Sequence, residues 1–421
     1  MQLTQHTQKI RLSQIYGMVK PPKESWISYL SDMTTPKPKI LFADPSKDSG
    51  GPQHVGNTIL AGLPYEKYEL ILGSPLPNHP MSPNVTFRYS PDIYNISRPK
   101  NLMEFSSIVI NFPLKVFSLC KFIKKNNIDL IHSNNEICFS TLLAARLTGT
   151  IHIVHVHGLG FAKSIFSALF AQIINGSCTR VIAVSNAVSE KLKDSGVDEK
   201  KIITVYNGIN TDVFKPTKKT KYAHRLFGIQ EDSYVVSMIS ALDPRKGHEL
   251  FIQAANYVQQ SRADIHFLII GDCPDNQSLY EEELRKLITK FKLNTQVTFT
   301  GYQDNIPKLL NSIDLIVQPS LTDAGPLVPL ESMSCGTPVI ATNVGGNPEE
   351  VVHGYTGLVI PMNNPDFLGQ SIINLIDDPY LRLKMRNNGR KWVKTKFDSQ
   401  LLTGTIESIY DELLQNNTLG R

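Results

Sequence analysis

The sequence predicts an α/β protein with two doubly wound, parallel-sheet domains of the Rossmann-like type. Three observations predict this fold: the chain has 421 residues, short apolar runs recur along it, and stretches with helical periodicity separate several of these runs. A chain of this length usually needs more than one hydrophobic core. Strands that alternate with helices form a parallel sheet with helices on both faces, and ligands bind at the carboxyl ends of its strands.

The first domain is predicted over residues 38–213, after a polar N-terminal extension at residues 1–37. Its opening strand is the apolar run K-I-L-F-A-D-P, which a proline ends. Similar runs predict strands at 68–73, 128–133, 151–158, 179–185 and 202–208. The segment 114–125 has helical periodicity, whereas the stretch 74–107 is rich in Pro, Asn and Ser and predicts loops.

The second domain, residues 214–395, repeats this plan after a polar, Lys-rich boundary at 210–221. Apolar runs predict strands at 234–240, 265–271, 296–301, 314–320, 337–342 and 356–361. Helices are predicted near the C-terminus at 366–377, 380–396 and 399–414. We expect the C-terminal helix and tail, residues 396–421, to pack back on the first domain.

Composition is typical of an ordinary globular protein, with 41% hydrophobic and 19% charged residues and a net charge of +5. The sequence has no stripe of basic residues interleaved with aromatic residues, so nucleic acid is not predicted as a partner. The five cysteines are scattered and form no C-x-x-C pair, so the sequence predicts neither a disulfide framework nor a zinc site. The polar N-terminus and the lack of an apolar run of roughly 18 residues predict a cytoplasmic protein.

Two loops that follow predicted strands have the composition of anion-binding sites. Gly50 and Gly51 precede a helical run, where glycine lets the backbone approach a phosphate and the helix dipole favours an anion. Arg245 and Lys246 open another helix, and two cations there suit a diphosphate. A plain turn explains the first loop equally well, and a solvated turn explains the second.

The motif H-V-H-G places His155 and His157 on the same face of a strand, because residues two apart point the same way. A metal pair is one interpretation, but no third or fourth ligand has a suitable spacing. We therefore expect no metal, and we expect one of these histidines to contact a substrate at the crevice. The following G-x-G is too short for a dinucleotide-binding fingerprint.

Two carboxylates lie on either side of a glycine-proline turn near the end of the second domain. Asp323 follows the strand predicted at 314–320, and Glu331 lies eight positions later, in a helix that begins near Pro326. A carboxylate accepts hydrogen bonds from paired sugar hydroxyls. Free N–H groups at the start of the helix can bind phosphate oxygens. The stretch therefore has the outline of a nucleotide-sugar site.

These motifs, in this order, resemble the GT-B-fold retaining glycosyltransferases of family 4, also called glycosyl transferases group 1. The resemblance covers about residues 38–395, and its strongest part is E-S-M-S-C-G-T-P-V-I-A-T, which is similar to the family's E-A-M-A-C-G-T-P-V-V-A-S. Further matches are V-I-A-V-S-N at 181–186, V-Y-N-G-I-N at 205–210 and F-T-G-Y at 299–302. The resemblance implies that the two domains face each other across a cleft.

The resemblance also implies roles for individual residues. Lys246 would bind the diphosphate, Glu331 the ribose and Asp323 the hydroxyls of the donor sugar. His157 would lie near the transferred sugar, so the implied catalytic residues are His157, Lys246 and Asp323. The donor-binding residues implied are Gly50, Gly51, Arg245, Lys246, Asp323, Gly325, Leu327, Val328 and Glu331.

The implied reaction transfers a sugar from a nucleotide-diphosphate sugar to a glycan or lipid-linked acceptor, in surface polysaccharide or glycolipid biosynthesis. It retains the anomeric configuration and needs neither a cofactor nor a metal, and the chain contains no D-x-D motif. Two positions depart from the family: Asp323 replaces the usual Glu, and Ala241 replaces a frequent Arg. These departures leave open a nucleotide-sugar-binding protein with impaired catalysis. An epimerase on the same scaffold is a third interpretation.

The segment 112–125 combines apolar residues with lysines. A basic amphipathic helix can lie on an anionic lipid surface, which would place the protein peripherally at the inner face of the membrane. The simpler interpretation is a helix that packs on the sheet and has a solvated Lys face.

Overall fold

The computed structural model describes residues 36–46, 50–75, 85–89, 93, 102–159, 165–273 and 278–419. The predicted N-terminal extension lies outside these described residues except at its last two positions, and much of the stretch 74–107 also lies outside them. All contacts given below belong to the compact unit that begins at Lys39.

Seven parallel strands form the sheet of the first domain, in the order β3-β2-β1-β4-β5-β6-β7. They are β1 (Lys39–Ala43), β2 (Glu69–Ser74), β3 (Thr86–Tyr89), β4 (Leu130–Ser133), β5 (Ile151–Val156), β6 (Arg180–Ala183) and β7 (Ile202–Thr204). All except β3 coincide with predicted strands. Strand β3 lies at the sheet edge and falls in the Pro-, Asn- and Ser-rich stretch 74–107, which the pattern assigned to loops.

Helices cover both faces of this sheet. They are α1 (Gly51–Gly62), α2 (Leu102–Asn126), α3 (Phe139–Thr148), α4 (Ile165–Ser177) and α5 (Asn186–Asp194), with a short 3-10 turn at Glu199–Lys201. Successive strand residues point to opposite faces. In β1, Ile40 and Phe42 therefore pack on the side of α1, whereas Leu41 packs on the side of α2 and α3.

Six parallel strands form the second sheet, in the order β10-β9-β8-β11-β12-β13. They are β8 (Tyr234–Ile239), β9 (Ile265–Ile270), β10 (Val297–Gly301), β11 (Leu315–Gln318), β12 (Val339–Thr342) and β13 (Leu358–Ile360). The helices of this domain are α6 (Tyr222–Phe227), α7 (His248–Gln259), α8 (Ser278–Lys290), α9 (Ile306–Leu310), α10 (Leu327–Cys335), α11 (Asn347–Glu350), α12 (Pro365–Asp377) and α13 (Pro379–Lys396). The prediction of two doubly wound parallel-sheet domains is confirmed.

The last helix, α14 (Ser399–Leu419), returns to the first domain and packs on α1. Ile406 and Tyr410 are buried in the same hydrophobic cluster as the residues of β1 that face α1. The Tyr410 hydroxyl lies 2.7 Å from Nδ1 of buried His132. At the edge of this contact, Lys67 donates to Glu407 at 2.7 Å. The C-terminal segment is therefore part of the core of the first domain.

Candidate active site

Lys246 and Asp323, which are 77 positions apart in sequence, form an ion pair with 2.7 Å between Nζ and Oδ2. Lys246 ends a 3-10 turn that follows β8, and Asp323 lies in the loop between β11 and α10. Gly247 makes this approach possible. It has a φ of 78°, and a Cβ there would lie 2.0 Å from the carbonyl oxygen of Pro319. The structure therefore brings together two of the predicted catalytic residues.

The Asp323 carboxylate is oriented by side chains of its own loop. Besides Lys246, Gln318 Nε2 donates to it at 3.2 Å and Ser320 Oγ at 3.1 Å. All three donors contact Oδ2, and Oδ1 accepts no hydrogen bond from the described residues. One oxygen is thus held by the protein, and the other is available for a hydroxyl of a ligand.

Helix α10 begins directly after this loop. Pro326 is its N-cap residue and supplies no side-chain hydrogen bond. The N–H groups of Leu327 and Val328 lie in the first turn, where a helix has no internal partner for them. The first turn contains no acidic residue that would compete for these donors. The helix start is therefore suited to bind phosphate oxygens.

Glu331 lies in the second turn of α10 and is half-buried. Its carboxyl group has no hydrogen-bond partner among the residues that the structure describes. Burial raises the pKa of Glu331 to about 7, because water is excluded from the charged form. A carboxylate with unused acceptor sites in a partly dry environment is suited to the two neighbouring hydroxyls of a ribose.

His157 lies at the carboxyl end of β5, where two groups from the loop after β4 contact it. Its Nε2 is 3.1 Å from Asn134 Oδ1, and its main-chain N–H donates to Glu136 Oε2 at 3.1 Å. Burial lowers the pKa of His157 to about 4, although the charge of Asp44 acts in the opposite direction. The imidazole is therefore neutral at pH 7.

A group of buried imidazoles lies behind His157. The His155 ring is 4.3 Å from the His157 ring and 5.5 Å from the His132 ring, measured between centroids. Both ring nitrogens of His155 are buried and have no hydrogen-bond partner among the described residues. Burial lowers the pKa of His132 to about 3 and also lowers that of His155. In the described ranges, no group of three or more His, Cys, Asp or Glu residues could hold a metal ion.

Three other predicted residues are less closely connected to the ion pair. Gly50 and Gly51 lie at the start of α1, where a Cβ on Gly51 would meet no atom within 4 Å, so the backbone is open to a ligand. Arg245 is exposed, and its guanidinium donates to Asp243 through Nε at 3.0 Å and Nη2 at 2.6 Å. Its role in donor binding stays a prediction.

The loop that contains Asp323 also contacts the first domain. Asn207 Nδ2 donates to the carbonyl of Gly325 at 2.8 Å, and Ala324 packs in one hydrophobic cluster with Leu159. A Cβ on Gly345 would lie 2.8 Å from Leu159 Cδ1 and 1.7 Å from the main-chain oxygen of Asp323. The loop after His157 therefore adjoins the loop of the ion pair.

A second contact between the domains caps a helix. Glu349 of α11 accepts hydrogen bonds from the main-chain N–H groups of Asn186 and Ala187 at 2.8 Å each, and from the Tyr206 hydroxyl at 2.9 Å. This arrangement places a carboxylate of the second domain at the N-terminus of α5, where the helix dipole favours it.

Sequence analysis did not identify Asn134, Glu136, Asn207 or Glu349. Asn134 and Glu136 could have been identified by their position directly after the strand predicted at 128–133, because the loops after such strands border the crevice. Their partners could not be inferred, since Asn134 and His157 are 23 positions apart. None of the helices in the described part of the chain combines the length and apolarity needed to cross a membrane.

Comparison with known proteins confirms the family resemblance. Residues 221–392 match the family described as glycosyl transferases group 1, and residues 50–213 match glycosyltransferase family 4. The chain is 28% identical to the UDP-Gal:alpha-D-GlcNAc-diphosphoundecaprenol alpha-1,3-galactosyltransferase of Escherichia coli, over 72% of this chain and 80% of that protein. It is 27% identical to the N-acetyl-alpha-D-glucosaminyl L-malate synthase of Bacillus anthracis, over 71% of this chain and 78% of that protein.

Solved structures support the same fold. Anabaena HepE in complex with UDP and glucose has a TM-score of 0.76 and 22% identity, covering 88% of this chain and 99% of HepE. A sucrose-phosphate synthase from Thermosynechococcus elongatus has a TM-score of 0.76 and 21% identity, covering 90% of this chain and all of that chain (100%). At these identities the likeness concerns the two-domain GT-B fold.

Proposed function

This chain belongs to the family 4 glycosyltransferases of the GT-B fold, and we propose that it is a retaining, metal-independent hexosyltransferase. Its donor would be a nucleotide-diphosphate sugar and its acceptor a glycan or a lipid-linked glycan, in surface polysaccharide or glycolipid biosynthesis. The observation that supports this proposal best is the ion pair between Lys246 and Asp323, which lies beside the uncapped start of α10.

The contacts around this ion pair suit a nucleotide-diphosphate sugar. Lys246 and the N–H groups of Leu327 and Val328 would bind the diphosphate. Glu331 would accept hydrogen bonds from the ribose, and the free Oδ1 of Asp323 would accept one from the sugar. His157, on the other side of the adjoining loops, would contact the transferred sugar as a neutral hydrogen-bonding group.

The reaction then needs little proton chemistry from the protein. The bond between the anomeric carbon and the phosphate oxygen breaks as an acceptor hydroxyl approaches the same face of the sugar. The acceptor oxygen bonds to the anomeric carbon, and its proton passes to an oxygen of the leaving diphosphate. Lys246 and the helix N–H groups stabilise the negative charge that develops on this diphosphate, as preorganised donors do in a site that excludes water.

The relatives suggest which donor to test first. The Escherichia coli relative is named for UDP-galactose and a diphosphoundecaprenol-linked acceptor, and HepE was solved with UDP and glucose. We therefore propose a UDP-hexose as the donor and a lipid-linked glycan as the acceptor. The shorter Asp323, in place of the family's Glu, would require the sugar hydroxyl to lie closer to the loop.

A thermal-shift panel with UDP, GDP, ADP and their hexoses tests donor choice, since a ligand at 100 times its Kd stabilises a protein by about 2.7 kcal/mol. The preferred donor is then incubated with lipid-linked acceptors, and product is scored with and without EDTA. Transfer that survives EDTA and retains the anomeric configuration supports the proposal. Donor binding without transfer or hydrolysis indicates the binding-protein alternative, and an epimerised sugar indicates the epimerase.

We also propose that an anionic membrane surface is a partner of the first domain. Helix α2 exposes a row of large apolar side chains with the spacing of one helix face: Ile110 is 67% exposed, Leu114 66% and Phe117 71%. Lysines continue the same face toward the end of the helix, at Lys121 and Lys125. The simpler expectation of a solvated Lys face does not explain three exposed apolar residues.

We define this surface by Ile110, Leu114, Phe117, Lys121 and Lys125. Its apolar side chains can be buried in a bilayer, and its lysines attract anionic lipid headgroups. Each Lys near an anionic membrane contributes about 1 kcal/mol to binding. Wild-type protein should sediment with phosphatidylglycerol vesicles and not with phosphatidylcholine vesicles. Leu114→Ser with Phe117→Ser should lose most of this binding. The matched control is Leu279→Ser, which changes an exposed residue of the second domain. Equal sedimentation with both lipids, or none, would contradict the proposal.

A further inference from the structure

Asn134 connects the helix that begins with Gly51 to the predicted catalytic histidine. It directly follows β4, is buried, and its main-chain N–H donates to the carbonyl of Ala43 at 2.8 Å. Its Nδ2 donates to the carbonyl of Pro52 in the first turn of α1 at 2.8 Å, and its Oδ1 lies 3.1 Å from His157 Nε2. The side chain therefore has a fixed partner at each end.

The carbonyl of Pro52 determines which end of the amide faces the imidazole. A carbonyl oxygen can only accept, so Nδ2 must face Pro52 and Oδ1 must face His157. Because Oδ1 also only accepts, His157 Nε2 carries the hydrogen. In the neutral ring, Nδ1 then has the lone pair. Among the described residues, no group donates a hydrogen bond to Nδ1.

The neighbours of the amide favour the same orientation. A Cβ on Gly56 would lie 2.6 Å from Asn134 Nδ2, so the glycine of α1 permits this close approach. Asp44 Oδ2 lies 3.5 Å from the same Nδ2. Both neighbours of Nδ2 are acceptors, which favours the same orientation of the amide.

We propose that Asn134 is a positioning residue that holds His157 in the tautomer with hydrogen on Nε2, so that Nδ1 accepts a hydrogen bond from a hydroxyl of the bound sugar. This inference rests on the proposed function, in which His157 lies near the transferred sugar. If the hydrogen were on Nδ1 instead, that nitrogen could not accept a hydrogen bond from a sugar hydroxyl.

The charged and titratable groups that surround His157 agree with a neutral ring. Asp44 comes from the end of β1 and Glu136 from the loop after β4, whereas His155 lies on β5 itself and His132 on the neighbouring β4. Burial lowers the pKa of His157 to about 4, with Asp44 opposing the change. The ring therefore carries one hydrogen across the neutral pH range.

The tautomer can be read directly by long-range proton–nitrogen NMR on full-length protein with nitrogen-15-labelled histidine. The His157→Gln variant assigns the signal. In the wild type at pH 7 we expect the shift of an unprotonated Nδ1 and a protonated Nε2. In Asn134→Ala, a mixture of tautomers should appear, and kcat should fall about tenfold, the value of one neutral hydrogen bond, with donor KM within about twofold.

Asn134→Asp provides a second variant with a different signature. A carboxylate next to Nε2 stabilises the imidazolium, so the acid limb of the rate profile should move to higher pH. The matched control is Ser133→Ala, because Ser133 hydrogen-bonds His152 and Thr141, and no hydrogen bond joins it to His157 in the described part of the chain. It should leave the His157 spectrum unchanged.

A His157 ring with hydrogen on Nδ1 in the wild type, or an Asn134→Ala spectrum identical to the wild type, would overturn the inference. A wild-type protein that binds no nucleotide sugar would instead contradict the proposed function, and the tautomer would still be measurable. The two failures are therefore distinguishable.

Discussion

The two domains contribute different kinds of groups to the candidate site: ionisable groups come from the second domain and neutral imidazoles from the first. The second domain contributes ionisable groups: Lys246 and Asp323 form an ion pair, and burial raises the pKa of the Glu331 carboxyl group to about 7. The first domain contributes the neutral imidazole of His157, whose pKa burial lowers to about 4. Behind it lies His132, which burial also keeps neutral.

This difference matches the two chemical parts of a nucleotide sugar. A diphosphate leaving group carries charge that increases during the reaction, and fixed cations and helix N–H groups stabilise it. The transferred sugar is uncharged, and neutral hydrogen-bonding groups can recognise its hydroxyls. We therefore expect Lys246 and the start of α10 to bind the diphosphate and His157 to face the sugar.

The largest effect is expected from Lys246→Ala, which removes the cation of the second domain. We expect the transfer rate to fall about 100- to 1,000-fold, the loss usual for one preorganised group that stabilises a developing charge. Steady-state kinetics with saturating donor measures it. The control is Lys290→Ala, an exposed lysine at the end of α8. An unchanged rate in Lys246→Ala would remove this residue from the mechanism.

The next effect concerns nucleotide affinity in Glu331→Gln. Replacing the carboxylate should weaken nucleotide binding about 100-fold, because charge-assisted hydrogen bonds contribute roughly 1.5–3 kcal/mol each. Wild-type affinity should also fall as the pH drops below about 7, where Glu331 becomes protonated, and the variant should lack this dependence. Isothermal titration at pH 6 and pH 8 measures both, with exposed Glu283→Gln as the control.

Glu331 also makes a prediction about the free protein. Its pKa is higher in the folded state than the ordinary 4.5, so burial of the charge lowers stability progressively as the pH rises from 4.5 to about 7. Without nucleotide, Glu331→Gln should therefore be more stable than the wild type at pH 8 and equal to it at pH 4. A variant less stable at pH 8 would contradict the burial of this carboxyl group.

The imidazoles of the first domain should make it acid-sensitive. Histidines that burial keeps neutral bind protons only when the chain unfolds, so stability is complete above pH 6.5 and is lost as the pH falls below it. Each such group costs about 2 kcal/mol at pH 5. His155→Leu should reduce this loss, because both ring nitrogens of His155 are buried and no described residue hydrogen-bonds to them. An identical pH dependence of the unfolding free energy would show that His155 is charged or hydrated.

The smallest effect is expected at the C-terminal helix. Tyr410→Phe removes the hydroxyl that lies 2.7 Å from His132 and should lower the free energy of unfolding by about 1 kcal/mol. Chemical denaturation measures it, and exposed Tyr380→Phe is the control. Limited proteolysis would show whether Tyr410→Phe destabilises the first domain. If the unfolding of the first domain were unaltered, the packing of α14 on that domain would be contradicted.

Most of the fold was predictable because most strands lie within a parallel sheet that helices cover on both faces, and such strands have continuous apolar runs. The exceptions have physical reasons. Strand β3 falls in a stretch rich in Pro, Asn and Ser, and α2 exposes apolar residues on the face that the pattern assigned to solvated lysines. Hydrophobic periodicity indicates that a segment is helical, but it does not indicate which of its apolar residues the sheet covers.

The candidate site was predictable in part for a similar reason. Lys246, Asp323 and Glu331 follow strands or begin helices, which are positions that the local pattern identifies. The orientation of Arg245 toward Asp243 depends on the geometry of one turn, and a sequence of adjacent charged residues does not specify it.

The sequence by itself determined which segments are strands and helices, the order of the two domains and the residue types at the ends of their strands. These properties depend on neighbours within a few positions. Only the tertiary structure decided that Lys246 meets Asp323, that Asn134 holds His157 and that Tyr410 reaches His132, over separations of 77, 23 and 278 positions. Those choices arise from the packing of whole domains, in which a side chain bonds to whatever partner the fold brings within reach.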